Sequence, residues 1–343
     1  MTTSLQPSSS VCIVVPAFNE SQVITAALTS LLAVVPAADI YVVSDGSTDT
    51  TVQLARSLVP NVLGLRRNRG KAYALQALIK KYKLTDRYEY ILFADADSQL
   101  TPTFLREAEA WMHEDTACIV GTVTSDRRGV ISAYRTFEYG LTNRIFKQAQ
   151  HVMQVITVAP GCASLYRASV LAQLDFSHHT LTEDFDLTLQ IHLRKLGRIV
   201  YAPKALVVTQ DPPTFADYWT QITRWYTGFW QNVLLHRLYL PTKKINAEIL
   251  LLILDGIGWS FSLVVAILHP HIFLELVELS FVITWSFGLL IIVIEQKPWV
   301  LPYVPLFPLI QYLNLSSFAY SFFRGVIFHS RDLGWRKVKR YAA

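Results

Sequence analysis

Tyr90-Ile91-Leu92-Phe93-Ala94-Asp95-Ala96-Asp97 runs four β-favouring residues straight into a pair of carboxylates one residue apart. A short, uninterrupted apolar run of this kind predicts a buried strand with a polar loop at its carboxyl end. The same pattern recurs toward the N-terminus. Val11 to Val15 is a continuous apolar run followed by Pro16-Ala17-Phe18-Asn19-Glu20 and a helical segment from about Gln22 to Val34. Ile40 to Val43 ends in Ser44-Asp45-Gly46-Ser47-Thr48-Asp49, whose Asp, Gly and Ser content stops the strand and whose Ser/Thr can cap a helix beginning near Thr50. Asn61 to Leu65 supplies a further strand. Strands alternating with helices predict an α/β domain with a mostly parallel sheet, in which ligands bind at the carboxyl ends of the strands. The polar clusters after these strands therefore converge on one crevice.

Those clusters have a definite chemistry. Asp95 and Asp97 can hold a hard divalent ion, Mg²⁺ or Mn²⁺, that also binds phosphate oxygens; a solvated turn is the competing reading. Asp45 can accept hydrogen bonds from a base or ribose. Arg66, Arg67, Arg69 and Lys71 place positive charge just ahead of a helix at Ala72 to Lys81, which suits a diphosphate. There is no GxxxxGK[ST] and no GxGxxG, which disfavours both a P-loop NTPase and a Rossmann dehydrogenase.

Four elements, taken in order, resemble family-2 glycosyltransferases of the GT-A fold, in the membrane-integrated processive branch of cellulose, hyaluronan, chitin and poly-N-acetylglucosamine synthases. They are Val14-Val15-Pro16-Ala17-Phe18-Asn19-Glu20 with Ser44 to Asp49; Asp95-Ala96-Asp97; Thr182-Glu183-Asp184; and Gln221-Ile222-Thr223-Arg224-Trp225. Ala159-Pro160-Gly161-Cys162-Ala163-Ser164-Leu165-Tyr166-Arg167 is similar to the glycine-containing segment that precedes the base motif in these synthases. The resemblance implies that Ala17, Glu20 and Asp45 line the nucleotide pocket, with Lys71 near the uridine or diphosphate. It implies Asp95 and Asp97 at the UDP and its metal, Asp97 as the direct ligand. Asp184 is then the general base and Glu183 its neighbour at the acceptor. In the Gln221 to Trp225 motif, Arg224 contacts the diphosphate and Trp225 stacks on the acceptor sugar. For Glu183 and Asp184 the alternative is plain stabilisation of the helix dipole at the start of Phe185 to Leu196. An inverting transfer needs one carboxylate to take the acceptor proton while cations neutralise the departing diphosphate, and these residue types supply both.

Composition completes the outline. The 343 residues are 52% hydrophobic and 17% charged, and mean hydropathy is +0.30, too apolar for disorder or for an ordinary soluble chain. The apolar excess sits late. Ala247 to Leu268 and His271 to Ile294 are each long enough to cross a bilayer, which takes about 20 residues. Acidic Glu248, Asp255, Glu275 and Glu278 within them are expected to face protein or a polar pore. Trp299 to Phe323 is uncharged but carries Pro302, Pro305 and Pro308, so it reads as a kinked span, an interfacial lead into a span, or a re-entrant segment. Thr214 to His236 and Gly129 to Gln150 read as amphipathic interfacial helices.

The expected division is a polar segment 1–10, a cytosolic GT-A domain 11–213, an interfacial region 214–246, a membrane region 247–330 with two or three spans, and a basic tail 331–343. Met1 to Ser10 has no secretory character, and the Lys/Arg-rich tail prefers the cytosolic side. Together these describe a multi-pass protein of the plasma (inner) membrane. Cys12, Cys118 and Cys162 show neither disulfide nor zinc spacing. The expected partners are a UDP-sugar donor, a carbohydrate or lipid-linked acceptor and membrane lipid. The small number of spans points to a homo-oligomer or an accessory subunit. A pI of about 9.0 does not indicate nucleic acid, because the basic residues cluster at the phosphate loop and the tail. Competing functions are transfer of a single sugar to a polyprenyl phosphate and a non-catalytic membrane scaffold.

Overall fold

A computed structural model describes residues 10–125, 127–176, 179–240, 242–327 and 341; the basic tail residues 331–340 and the polar residues 1–9 lie outside them. The chain opens as β1 (Val11–Ala17), α1 (Ile24–Leu32), β2 (Ile40–Ser44), α2 (Thr51–Leu58), β3 (Asn61–Gly64), α3 (Lys71–Tyr82), α4 (Leu84–Arg87), β4 (Tyr90–Phe93), β5 (Ser98–Leu100) and α5 (Phe104–Glu109). It continues through β6 (Thr116–Ser125), α6 (Val130–Leu141), α7 (Lys147–Met153), β7 (Ser164–Arg167), α8 (Ala168–Leu171), α9 (Glu183–Arg194), β8 (Arg198–Thr209) and α10 (Phe215–Leu235). The strands form one sheet in the order β3-β2-β1-β4-β7-β6-β8-β5.

Strand β1 shows why the sheet forms. Its side chains alternate between two cores, Ile13, Val15 and Ala17 on one face with α1 and α5, Cys12 and Val14 on the other with α3 and α9. Fully buried aliphatic side chains of this size contribute about 1.5–3 kcal/mol each, so a run without polar residues suits a strand covered on both faces. The half β3-β2-β1-β4 is parallel as expected, and β6–β8 is parallel too. Strand β7 runs antiparallel to both β4 and β6, and β5 antiparallel to β8. The sheet changes direction where Ser164 to Arg167 is inserted, so the loop ahead of β7 enters from the same edge at which β4 ends.

The loops at that edge are sewn together by short-range chemistry. Asn19 sits at φ 54° and its Oδ1 accepts from the Thr48 amide at 2.8 Å, while the Asn19 and Glu20 amides donate to Ser47 Oγ and Thr51 Oγ1. The start of α2 is capped by Asp49, whose Oδ1 accepts from the Thr51 amide at 3.0 Å, and not by a serine or threonine as expected. A carboxylate accepts more strongly than a hydroxyl and also favours the helix N-terminus. Gly46, at φ +76°, lies against the backbone of the following loop; a Cβ there would come within 2.5 Å of Arg67 C and Asn68 N. Gly46→Ala is expected to cost about 2 kcal/mol or more. A thermal melt of the detergent-solubilised chain should show a lower midpoint, whereas an unchanged midpoint would mean the loop slides away freely.

After α10 come α11 (Lys244–Leu268) and α12 (Pro270–Glu295), with mean hydropathies of 2.1 and 2.2 over their most apolar windows, long and apolar enough to cross a membrane. Both turn large apolar side chains outward, Leu251, Phe261, Leu274 and Val282 among them. Of their acidic residues, Glu248 accepts from Gln150 Nε2 at 3.1 Å and Glu295, at the end of α12, accepts from Arg144 Nε at 2.9 Å. Asp255, Glu275 and Glu278 are exposed. Asp255 lines a cleft with Gly258, Ser262 and Leu276. The third apolar stretch divides into a 3₁₀ helix over Pro298–Leu306, which contains Pro302 and Pro305, and α13 (Phe307–Phe322), with Pro308 in its first turn. The 16 residues of α13 run on directly into a five-residue π-helix over Phe323–Ile327, and α13 packs along α10. Helix α6 also departs from a surface-lying interfacial helix. Ile131, Ala133, Tyr134 and Phe137 are buried against α10, α12, α13 and the 3₁₀ segment.

Candidate active site

The crevice is floored by the carboxyl ends of β1, β2 and β4. Ala17 ends β1 and its carbonyl accepts from the Asp45 amide at 2.8 Å. Asp45 carries both carboxylate oxygens into the next loop, accepting from the Arg69 amide at 2.9 Å and the Gly70 amide at 2.8 Å. Burial pushes its carboxyl above the usual range, and those two amides pull it back. Glu20 is only 9% exposed beside this seam.

Of the basic run, Lys71 alone is seen to enter the crevice. The backbone of Arg67 and Asn68 packs under Gly46, Arg66 and Arg67 are exposed, and the Arg69 guanidinium lies 3.5 Å from the Tyr73 ring centroid. The expectation of a four-cation phosphate loop is therefore corrected to one lysine. Its ammonium is 2.7 Å from Asp95 Oδ1 and 3.0 Å from Glu183 Oε1. Burial alone would lower its pKa, but Asp95, Glu183 and Asp184 together hold it well above the ordinary lysine value.

Glu183 and Asp184 open α9. Asp184 Oδ1 accepts from the Phe185 amide at 2.9 Å and Oδ2 from the Gly161 amide at 3.1 Å. A carboxylate here stabilises the helix end, and the same geometry sets Asp184 against the Gly161 amide. Burial, and then Glu183, raise Asp184 to about 6, against the pull of Lys71 and the two amides. Gly161 is the point of closest approach. A Cβ there would lie 2.7 Å from Lys71 Nζ, 3.6 Å from Glu183 Oε1 and 3.7 Å from Asp184 Oδ2. A side chain there would push the Lys71 ammonium aside and would touch Glu183 and Asp184 at ordinary contact distance.

Asp97 is 7% exposed and accepts from Ser98 Oγ at 3.3 Å. Asp95, Asp97, Glu183 and Asp184 bring four carboxylates to a region where Lys71 is the nearest ammonium, an excess that favours a cation. Among the described residues no three His, Cys, Asp or Glu side chains group to cage a metal. The donor set of Asp95 and Asp97 therefore fits an oxygen-loving divalent ion that completes its shell with diphosphate and water oxygens.

Helix α10, capped by Thr214 Oγ1 accepting from the Asp217 amide, packs beside α9. It is stitched to the segment before α9. Asn232 Nδ2 donates to Thr180 Oγ1 at 2.8 Å, the Leu181 amide donates to Gln231 Oε1 at 2.8 Å, and His236 meets Asp186 at 2.6 Å. Gly228 touches Thr182 closely enough that a Cβ would fall 2.3 Å from its Oγ1. Arg224 lies one turn earlier on the same face, and its Nε is buried with no hydrogen-bond partner among the described residues. An orphaned guanidinium donor calls for an acceptor, and a diphosphate oxygen is one. Trp225 is 37% exposed. Gln221, grouped with Arg224 and Trp225 at the diphosphate and acceptor, has its Oε1 accepting from Arg135 Nη2 at 2.6 Å.

Gly161, Gly228 and Arg135 are the residues whose parts the sequence did not disclose. Gly161 stood inside a quoted segment, but its function is a distance between remote groups. Arg135 and Glu138 had a visible signal, an i,i+3 ion pair in an otherwise uncharged helix.

Residues 7–228 match the sequence profile of the family described as glycosyltransferase like family 2. Among curated proteins, the chain is similar to the poly-beta-1,6-N-acetyl-D-glucosamine synthase of Staphylococcus epidermidis, 29% identical over 249 residues, covering 68% of this chain and 58% of that protein. The enzyme of the same name from Staphylococcus aureus is 28% identical over 250 residues, with the same shares covered. The chain thus spans less than two thirds of the length of these relatives. Among solved structures, the mannosyltransferase PcManGT from Pyrobaculum calidifontis, in complex with GDP-Man and Mn²⁺, superposes with TM-score 0.61 at 18% identity, covering 91% of this chain and 86% of that one. S. aureus TarS in complex with UDP-GlcNAc gives 0.50 at 17% identity, with 91% and 90% covered. At these identities the likeness is one of fold.

Proposed function

Since the chain belongs to glycosyltransferase family 2 and has the GT-A fold, we propose that it transfers a sugar from a UDP-sugar to a carbohydrate acceptor at a membrane surface, with inversion at the anomeric carbon. The convergence of Lys71, Glu183 and Asp184 on Gly161 carries this reading. The donor argued for is UDP-N-acetylglucosamine, because the curated relatives are named for poly-N-acetylglucosamine synthesis.

In the proposed step an acceptor hydroxyl oxygen attacks the anomeric carbon while the bond from that carbon to the diphosphate oxygen breaks, its electron pair leaving with UDP. The hydroxyl proton passes to Asp184, which a pKa of about 6 leaves ionised at neutral pH. Glu183 holds Lys71 and borders the acceptor. Lys71 and Arg224 face the charge that develops on the diphosphate, and Ala17, Glu20 and Asp45 line the nucleotide side. Trp225 offers its exposed face to the acceptor sugar. A divalent cation, Mg²⁺ or Mn²⁺, held by Asp97 and Asp95 would add neutralising charge at the diphosphate. Helices α11 and α12 would cross the plasma membrane as a pair, leaving the catalytic part on the cytosolic side where UDP-sugars are available.

The test is to incubate membranes containing the full chain with a panel of labelled UDP-sugars and Mg²⁺ or Mn²⁺, then size the product. Incorporation of N-acetylglucosamine into a β-linked oligosaccharide or polysaccharide, abolished by EDTA and restored by the metal, is expected. Turnover of no UDP-sugar would overturn the reading, and single-sugar addition to a lipid phosphate would redirect it.

A further inference from the structure

Beneath Trp225 lies a charged group with no part in the chemistry above. Arg135, in the middle of α6, is 4% exposed. Its Nη1 donates to Glu138 Oε2 at 2.8 Å and its Nη2 to Gln221 Oε1 at 2.6 Å. Its guanidinium carbon lies 4.8 Å from the centroid of the Tyr218 ring and 4.6 Å from that of Trp225. The network then closes through the last helix: Asn314 Nδ2 donates to Glu138 Oε1 at 3.0 Å, and the Tyr218 hydroxyl donates to Asn314 Oδ1 at 2.6 Å.

Such an arrangement is a poor way to gain stability. Desolvating a guanidinium and a carboxylate offsets most of their attraction, and a well-packed apolar set of similar volume is often as stable or more so. What it does supply is orientation. A guanidinium is planar, and its donors form a rigid fork, so hydrogen bonds to Glu138 and Gln221 fix the plane that lies beside the indole. Lysine would retain the charge without the plane or the fork. Trp225 is thereby held on one side, while the part of its ring left exposed keeps one direction.

Resting on the function proposed above, we propose that Arg135 is a positioning residue that sets the plane of Trp225 and so determines how well the acceptor sugar is held. Its reach through Glu138 to Asn314 ties that setting to α13.

The experiment uses the full chain in lipid nanodiscs, labelled with fluorotryptophan, with the Trp225 resonance assigned by its loss in Trp225→Phe. Arg135→Lys is expected to shift or broaden that resonance. It should also raise the KM for an oligomer of β-linked N-acetylglucosamine on the order of tenfold, with the KM for the UDP-sugar changed by less than about twofold. In the Trp225→Phe background, the same substitution should add less than about twofold to the acceptor KM, because the two act as one unit. Should Arg135→Lys fail to accumulate, Gln221→Leu removes one prong of the fork and is read in the same way. An unmoved Trp225 resonance, equal changes in both KM values, or full additivity would each overturn the proposal. A wild-type chain that consumes no UDP-sugar would defeat the functional reading, while the resonance would still decide whether Arg135 holds Trp225.

Discussion

Asp184→Asn is expected to lower the transfer rate about a thousandfold, the range a positioned general base supplies, while UDP-sugar binding measured by calorimetry stays unchanged. The substitution keeps the shape and removes the proton acceptor. Asp184 touches the Gly161 and Phe185 amides and no contact to the nucleotide loops is seen, so donor affinity should be spared. The wild-type pH profile makes the same point. A base must be ionised to act, so kcat/KM should rise with unit slope below an apparent pKa of about 6 and level off above it. Stability runs the other way. The folded carboxyl titrates above its ordinary value of 3.8, so its protonated form is the one folding favours, and stability from this group declines as pH climbs from 3.8 through about 6. A profile with no acid limb near that value, or an Asn variant that retains activity, would move the base to another group.

Lys71→Met should produce the second large effect, a loss of about a hundredfold in kcat/KM at neutral pH, the order seen when one electrostatic donor is removed from a transition state. Two causes act together. The diphosphate loses a cation, and Asp95 and Glu183 lose the ammonium that lies 2.7 Å and 3.0 Å from them. Because Lys71 lowers the Asp184 pKa, its removal should move the acid limb to higher pH. Part of the lost activity should therefore return in alkaline buffer. A variant with a higher donor KM but an unshifted limb would confine Lys71 to nucleotide binding.

The sheet was largely legible because its strands are continuous apolar runs. Tyr90 to Phe93 and Val11 to Ala17 could be buried on both faces or nowhere, and loops rich in Asp, Gly and Ser mark their ends. Strand direction was less visible. Nothing local to Ser164 to Arg167 distinguishes an antiparallel insertion from a further parallel strand, since the choice is made by helices α6 and α7, which return the chain to the same edge at which β6 ends. The family membership followed from motif order and is borne out by the profile match over residues 7–228. At the site, residue types named the acidic cluster, but the spacing of Arg66, Arg67 and Arg69 overstated the cationic loop. Whether a cation points inward depends on the backbone beneath it, and there Gly46 packs against Arg67 and Asn68. The roles of Gly161 and Arg135 are distances between groups far apart in sequence, which composition and periodicity do not carry.

The packing of α10 also bears on how this enzyme can be handled. One core joins α9 and α10 to α11 and α13, and another joins α6 and α10 to α12 and α13. Hydrogen bonds from Thr223 to Ser317 and from Tyr218 to Asn314 continue the join along α13. A biochemist who trims the chain after α10 to obtain a soluble catalyst would strip the back from the very helix that presents Arg224 and Trp225. The apolar helices and the catalytic part share their masonry here, so the detergent that covers those helices becomes an assay variable in the same sense as pH.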